Sequence, residues 1–262
     1  MGQRTDRTTA ANEALSFYDG LAGEYDAMTR FEGRFEREGD AFQRIVQRHG
    51  IRSALDAGCG TGFHALLLAQ LGVRVSAVDL SPLMIRRLRA HAHAMGLTIA
   101  ADVMDLRDLG GVATGSADAV FCMGNTLAHA ADRADLQVIL EGFFRTLRTG
   151  GVLFLQILNY EKILSDASFI QNIREEDGVF YIRFYEYHAG RIRFHLLRLS
   201  GRGSGIRHSL NSVTLTPFLP GEVTGTLGEA GFVNVKTFGD IAMHPYEAGA
   251  SQDLVLLGEK LD

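Results

Sequence analysis

Gly58, Gly60 and Gly62 stand at alternate positions in LDAGCGTGF, between an apolar run and a segment that reads as a helix. Glycines in such a strand-to-helix turn allow left-handed dihedrals and let a ligand approach the backbone, where the first N–H groups of the helix lack partners. Alone, the stretch is either a ligand site or simply a crowded turn. A second residue favours the site: Asp79 ends the next apolar run, RVSAVD, about twenty residues on, where a carboxylate accepts the ribose hydroxyls of an adenosine. Both NAD and S-adenosylmethionine (SAM) carry that ribose. Asp56, in the same turn, would repel a pyrophosphate and suits a ligand with an ammonium and a sulfonium, so the expected cofactor is SAM.

These residues need a frame. The runs SALDAG, RVSAVDL, TIAADV, ADAVFCMG and GGVLFLQIL are short, rich in β-formers and too apolar for one-faced strands. Helical segments lie between them at Gly62 to Leu71, Pro82 to Met95 and Asp132 to Leu147, the alternation of a doubly wound α/β domain. Two helices are expected before it, over Asn12 to Met28 and Phe35 to Gly50. After it, FYIRFYEYHAGRIRFHLLRL alternates as an antiparallel hairpin, and a helix from Pro220 leads to two final strands. The expected organisation is an N-terminal helical lid (1–50), a cofactor-binding core (51–164), an inserted antiparallel β cap (165–217) and a completion of the core sheet (218–262).

Composition limits the alternatives. The 262 residues carry 26 basic and 31 acidic side chains with no basic block, so nucleic acid is not an expected partner. The longest clean apolar run, Val152 to Leu158, is too short to span a membrane. With only Cys59 and Cys122, neither a disulfide framework nor a metal site is expected, and a cytoplasmic location fits best. The sequence leaves the oligomeric state open.

The stretches LDAGCGTG, VSAVDLSPLMI and AADVMDL resemble the first three motifs of class I SAM-dependent methyltransferases. That resemblance implies a Rossmann-like, mostly parallel seven-stranded sheet whose last strand is antiparallel. It also implies that Gly58 and Gly60 meet the methionine portion of SAM, Asp79 holds the ribose, Leu80 packs on adenine, and Asp102 with the Val103 amide reads the adenine edge, with Asp105 a competing candidate. ADAVFCMGNTLAHA and GGVLFLQILNYEKIL are similar, more narrowly, to glycine N-methyltransferases and related small-molecule N-methyltransferases. On this likeness Met123 lies beside the cofactor, Tyr18, Tyr25 and Arg37 close over it with Arg37 on its carboxylate, and Asn125, Asn159 and Tyr160 lie by the acceptor. Arg191 is then the closest match to a substrate-carboxylate arginine. A tyrosine of the family pattern is replaced near Thr216.

A neutral amine needs no strong base to accept a methyl group, whereas a hydroxyl normally does. His129 is the nearest histidine to the expected cleft and is either that base or a ligand of buried backbone groups. Asn159-Tyr160 either contacts the acceptor or caps a strand end. Arg191 and Arg193 share one strand face, as a carboxylate clamp or as a solvated edge. The readings that remain are methylation of a small amine such as an amino acid, O- or N-methylation of a larger metabolite or sugar, and a non-catalytic SAM-binding module.

Overall fold

The computed structural model describes residues 2–23, 25–29, 31–201 and 205–261. Helices α1 (Gly2–Leu21), α2 (Tyr25–Thr29) and α3 (Phe31–His49) precede the sheet. Where one helix is expected over Asn12 to Met28 there are two, separated around Ala22 and Gly23, with Glu24 outside the described residues. Glycines at 20 and 23 weaken the helix there.

Strands β1 (Ser53–Ala57), β2 (Arg74–Asp79), β3 (Ala100–Val103), β4 (Ala117–Cys122) and β5 (Leu147–Leu158) alternate with α4 (Phe63–Gln70), α5 (Pro82–Ala94) and α6 (Arg133–Thr146). A short helix, α7 (Tyr160–Asp166), leads into β6 (Ile170–Glu176), β7 (Val179–His188), β8 (Arg191–Ser200) and β9 (Arg207–Leu215). The chain ends with α8 (Pro220–Glu229), β10 (Val233–Phe238) and β11 (Asp253–Glu259). Seven strands form one sheet in the order β10-β11-β5-β4-β1-β2-β3. β1 to β5 are parallel, and β11 runs antiparallel to both β5 and β10. This is the mostly parallel Rossmann-like sheet with a reversed final strand.

Period-two alternation divides the core between the two faces. Leu55, Val120, Leu153 and Leu155 pack into one cluster with α1 and α6, and Ala54, Ala119, Phe121 and Phe154 into another with α3 and α4. Strands buried on both faces account for the near-continuous apolar runs. Helix starts are set by caps: Ser81 Oγ accepts the Met84 N–H ahead of Pro82, and Asp132 accepts the Asp135 N–H. Strand order reverses between β1 and β4, where the carboxyl ends of neighbouring strands open a crevice. The second sheet, β6-β7-β8-β9, is wholly antiparallel.

Candidate active site

The crevice holds an inner cavity of about 150 Å³, partly open to solvent. Its floor is the β1–α4 turn, where Gly58 and Gly60 take φ of 74° and 55°. A Cβ on Gly58 would collide with the Thr126 side chain, so the protein itself excludes a side chain there. A Cβ on Gly60 would meet only the Tyr25 ring, at 3.7 Å, because Gly60 faces the cavity. Asp79 stands beside it, its Oδ2 accepting the Gly60 N–H at 2.8 Å and its Oδ1 the Ser81 N–H at 2.9 Å. Burial raises the Asp79 pKa, and the two N–H groups oppose that rise.

Asp56, read from the sequence as facing a cationic ligand, lies under the turn instead. It is 1% exposed, does not line the cavity, and has an Oδ2 without a partner. Burial pushes its pKa to about 7, with the Asp79 charge adding to the effect.

From above, α1 presents Ala11, Ala14, Leu15 and Tyr18, one helical stripe, to the cavity. Tyr25 and Arg34 complete that wall, and Leu80 and Met123 also line the cavity. Arg34, missed in the sequence, donates to Glu38 from Nε at 2.7 Å and from Nη2 at 3.2 Å, and its guanidinium lies 3.9 Å from the Phe63 ring centroid. Burial alone would raise Glu38, but hydrogen bonds from His64 and Arg34 hold it down to about 2. Arg37, expected here, lies nearly one turn along α3, is exposed, and lines only the outer cavity described below. A helical register is hard to fix where no motif pins it.

At the β3 end the lining residues are Met104, Asp105, Leu106 and Arg107, with Asp105 bound to Arg107. Asp102 and Val103 are exposed and outside the lining, and Asp102 reaches toward Arg89 at 3.9 Å. Of the two candidates, Asp105 is the one the structure brings to the cavity.

A second cavity of about 850 Å³, also open, adjoins the first. The two share Tyr18, Tyr25, Thr29, Arg34, Gly124 and His129. At this waist the Tyr18 hydroxyl and His129 Nε2 are 2.9 Å apart. Burial lowers the His129 pKa to about 4 and raises those of Tyr18 and Tyr25. The outer walls come from α3, α7, β6, β7 and the loop before β11.

Of three residues expected at the acceptor, Asn159 lines the outer cavity and Tyr160 and Arg191 line neither cavity. The Asn159 side chain is saturated: its oxygen accepts from the Lys162 N–H and the Tyr246 hydroxyl, and its nitrogen donates to Ala248 O and Ser251 O. It is a cap for α7 and a pin for the 246–251 loop. Tyr160 is buried, lines neither cavity, and exchanges hydrogen bonds with Asn125, whose φ is 71°. Asn125 itself lines the outer cavity. Arg191 also lines neither cavity, since its guanidinium donates to Ala131 O and, at 3.0 Å, to Thr216 Oγ1. Arg193 is tied to Glu13 and Thr214, so these two arginines form neither a clamp nor a free solvated edge.

Among the other cations missed in the sequence, Arg174 and Arg183 face the outer cavity from β6 and β7. A signal was present in VFYIRFYEYH, where Arg183 is the one charge on a face otherwise made of Val179, Tyr181, Tyr185 and Tyr187. Gln156 and Asp253, hydrogen-bonded at 3.0 Å, were missed as well.

A doubly wound sheet with a glycine turn, and a carboxylate at the end of its second strand, defines an adenosine-cofactor site. Residues 54–151 match the family model described as a methyltransferase domain. Over 230 residues, 86% of this chain and 78% of the relative, it is 30% identical to a glycine/sarcosine N-methyltransferase of Parasynechococcus marenigrum (strain WH8102). A SAM-dependent methyltransferase from Clostridium acetobutylicum ATCC 824 superposes with a TM-score of 0.78 at 18% identity, covering 92% of this chain and 98% of that one. The sugar N-methyltransferase KedS8 from Streptoalloteichus sp ATCC 53650 gives 0.67 at 26% identity, covering 91% and 93%. The chain belongs to the class I SAM-dependent methyltransferases.

SAM is the cofactor, and the inner cavity fits it chemically. Asp79 offers a carboxylate for a ribose, Leu80, Met104 and Leu106 offer apolar surface for a base, and Arg34 offers a guanidinium for a carboxylate.

Proposed function

We propose that the enzyme methylates an amine nitrogen on a polar small molecule seated in the outer cavity. SAM, when bound, supplies a methyl group already activated on sulfonium sulfur, so the chain has to align the acceptor and exclude water. The observation that carries the reading is the waist. Among the residues shared by the two cavities, the only histidine is held far below the pH of an effective base, and the tyrosines are held above their ordinary range. A hydroxyl acceptor would need such a base, whereas a neutral amine carries its own lone pair. The named relatives, a glycine/sarcosine and a sugar N-methyltransferase, act on nitrogen. The size and openness of the outer cavity favour an amine on a scaffold larger than glycine.

In this arrangement Tyr18, Tyr25 and His129 line the waist where cofactor and acceptor meet, and Met123 borders the cofactor side. Asn159 and Tyr160 act indirectly, by holding the strand ends and Asn125. The test is the pH dependence of kcat/KM with a methylated amine. It should rise to the acceptor amine's own pKa and level off, and His129→Gln should keep the same profile. A limb near neutrality that follows the enzyme across different amines, and disappears in His129→Gln, would refute the reading.

A further inference from the structure

The outer cavity is rich in charge, and most of it is internally paired. Arg34 is held by Glu38, Lys162 by Asp166 at 2.7 Å, and Arg174 by Glu176 at 2.6 Å. Arg37 stands at the exposed rim. Arg183 differs: it is half-buried on the cavity-facing side of β7, opposite Leu196 of β8 and Asn172 of β6, and among the described residues no carboxylate or carbonyl accepts from it. On the same strand face it is followed by Tyr185, which also lines the cavity. Burial and the neighbouring Arg174 charge lower its pKa, while Tyr185 and Tyr25 oppose the fall, so Tyr25 of the waist lies within electrostatic range.

A guanidinium withdrawn from bulk water without a counter-ion is costly, and its planar fork matches a carboxylate or phosphate. We infer that Arg183 binds an anionic group, carboxylate or phosphate, on the methyl acceptor and so selects acceptors that carry one. This rests on the reading of the outer cavity as the acceptor site. The anion is held on the cap sheet and the amine reaches toward the waist, so an acceptor lacking the anion loses its orientation.

The test uses the full chain saturated with S-adenosylhomocysteine and two probes, acetate and inorganic diphosphate, with dissociation constants read by ligand-observed NMR. At least one probe should bind the wild type, and Arg183→Leu should weaken it about tenfold or more while leaving S-adenosylhomocysteine affinity within about twofold. Preference for acetate identifies a carboxylate, and preference for diphosphate identifies a phosphate. Should Arg183→Leu fail to fold, Arg183→Lys carries the test, since a point charge in place of the fork should weaken the same probe by about threefold or more. Absence of binding by either probe to the wild type, or unchanged affinity in the folded variants, overturns the inference. Anion binding is read without turnover, so it stands or falls separately from the pH test of amine methylation.

Discussion

Replacing Asp79 by Asn removes a charge while keeping the side-chain shape. In the native site both carboxylate oxygens are engaged, by Gly60 N–H at 2.8 Å and Ser81 N–H at 2.9 Å. An amide has one acceptor oxygen, so one N–H keeps its partner and the other faces an NH2 group. Loss of one hydrogen bond to a charged acceptor costs about 1.5–3 kcal/mol, which corresponds to about tenfold to 150-fold in an equilibrium constant. Part of that cost falls on the turn before any ligand arrives, and part on binding. Thermal unfolding of the ligand-free chain and calorimetric titration with S-adenosylhomocysteine separate the two. The expected result is a lower Tm together with about threefold to tenfold loss of affinity. An affinity within about twofold of wild type would refute the placement of the cofactor ribose at this carboxylate.

Asp56 has a folded-state pKa of about 7, above its unfolded value, so the folded chain binds the extra proton and this group's contribution to stability falls as pH rises from about 4 to about 7. Asp56→Asn should therefore gain on wild type by on the order of 3 kcal/mol between about pH 5 and pH 8 in ligand-free unfolding, and an unchanged difference across that window would contradict the burial argument. Arg191→Lys should cost about 1–2 kcal/mol of stability, because an ammonium cannot span Ala131 O and Thr216 Oγ1, with acceptor KM unchanged in steady-state kinetics. Asn159→Ala removes a helix cap and two donors to the 246–251 loop, and should lower stability by about 2–4 kcal/mol in denaturant titration.

The sheet was legible because strands buried on both faces leave unbroken apolar runs: β1 to β4 fall within those read from the sequence, whereas β5 starts at Leu147, three residues before its run and at the residue read as the end of the preceding helix. The cofactor turn was legible for a similar reason: the positions of Gly60 and Asp79 are set by local backbone geometry. Residues that reach the site from separate elements were harder to place. Arg34 and Arg37 differ by nearly a helical turn, and only packing on Phe63 and Glu38 decides which faces inward. Arg191 and Arg183 both sit in alternating strands, and the fold, with Thr216 and Ala131 waiting for one of them, determines which is consumed structurally. Asn159 matched a family pattern, but most of its partners lie about ninety residues away in the 246–251 loop.

Methyl transfer to nitrogen, in a cavity joined to the cofactor site at Tyr18, Tyr25 and His129, leaves its mark on the product. It is tested most directly by supplying SAM with a carbon-13 methyl group, together with a panel of amino acids, amino sugars and their hydroxyl counterparts, and recording the product by NMR. The expected result is a labelled N-methyl resonance from an amine and no label on the matched hydroxyl compounds. Label on oxygen, or no transfer to any amine by a chain that binds S-adenosylhomocysteine, would contradict it.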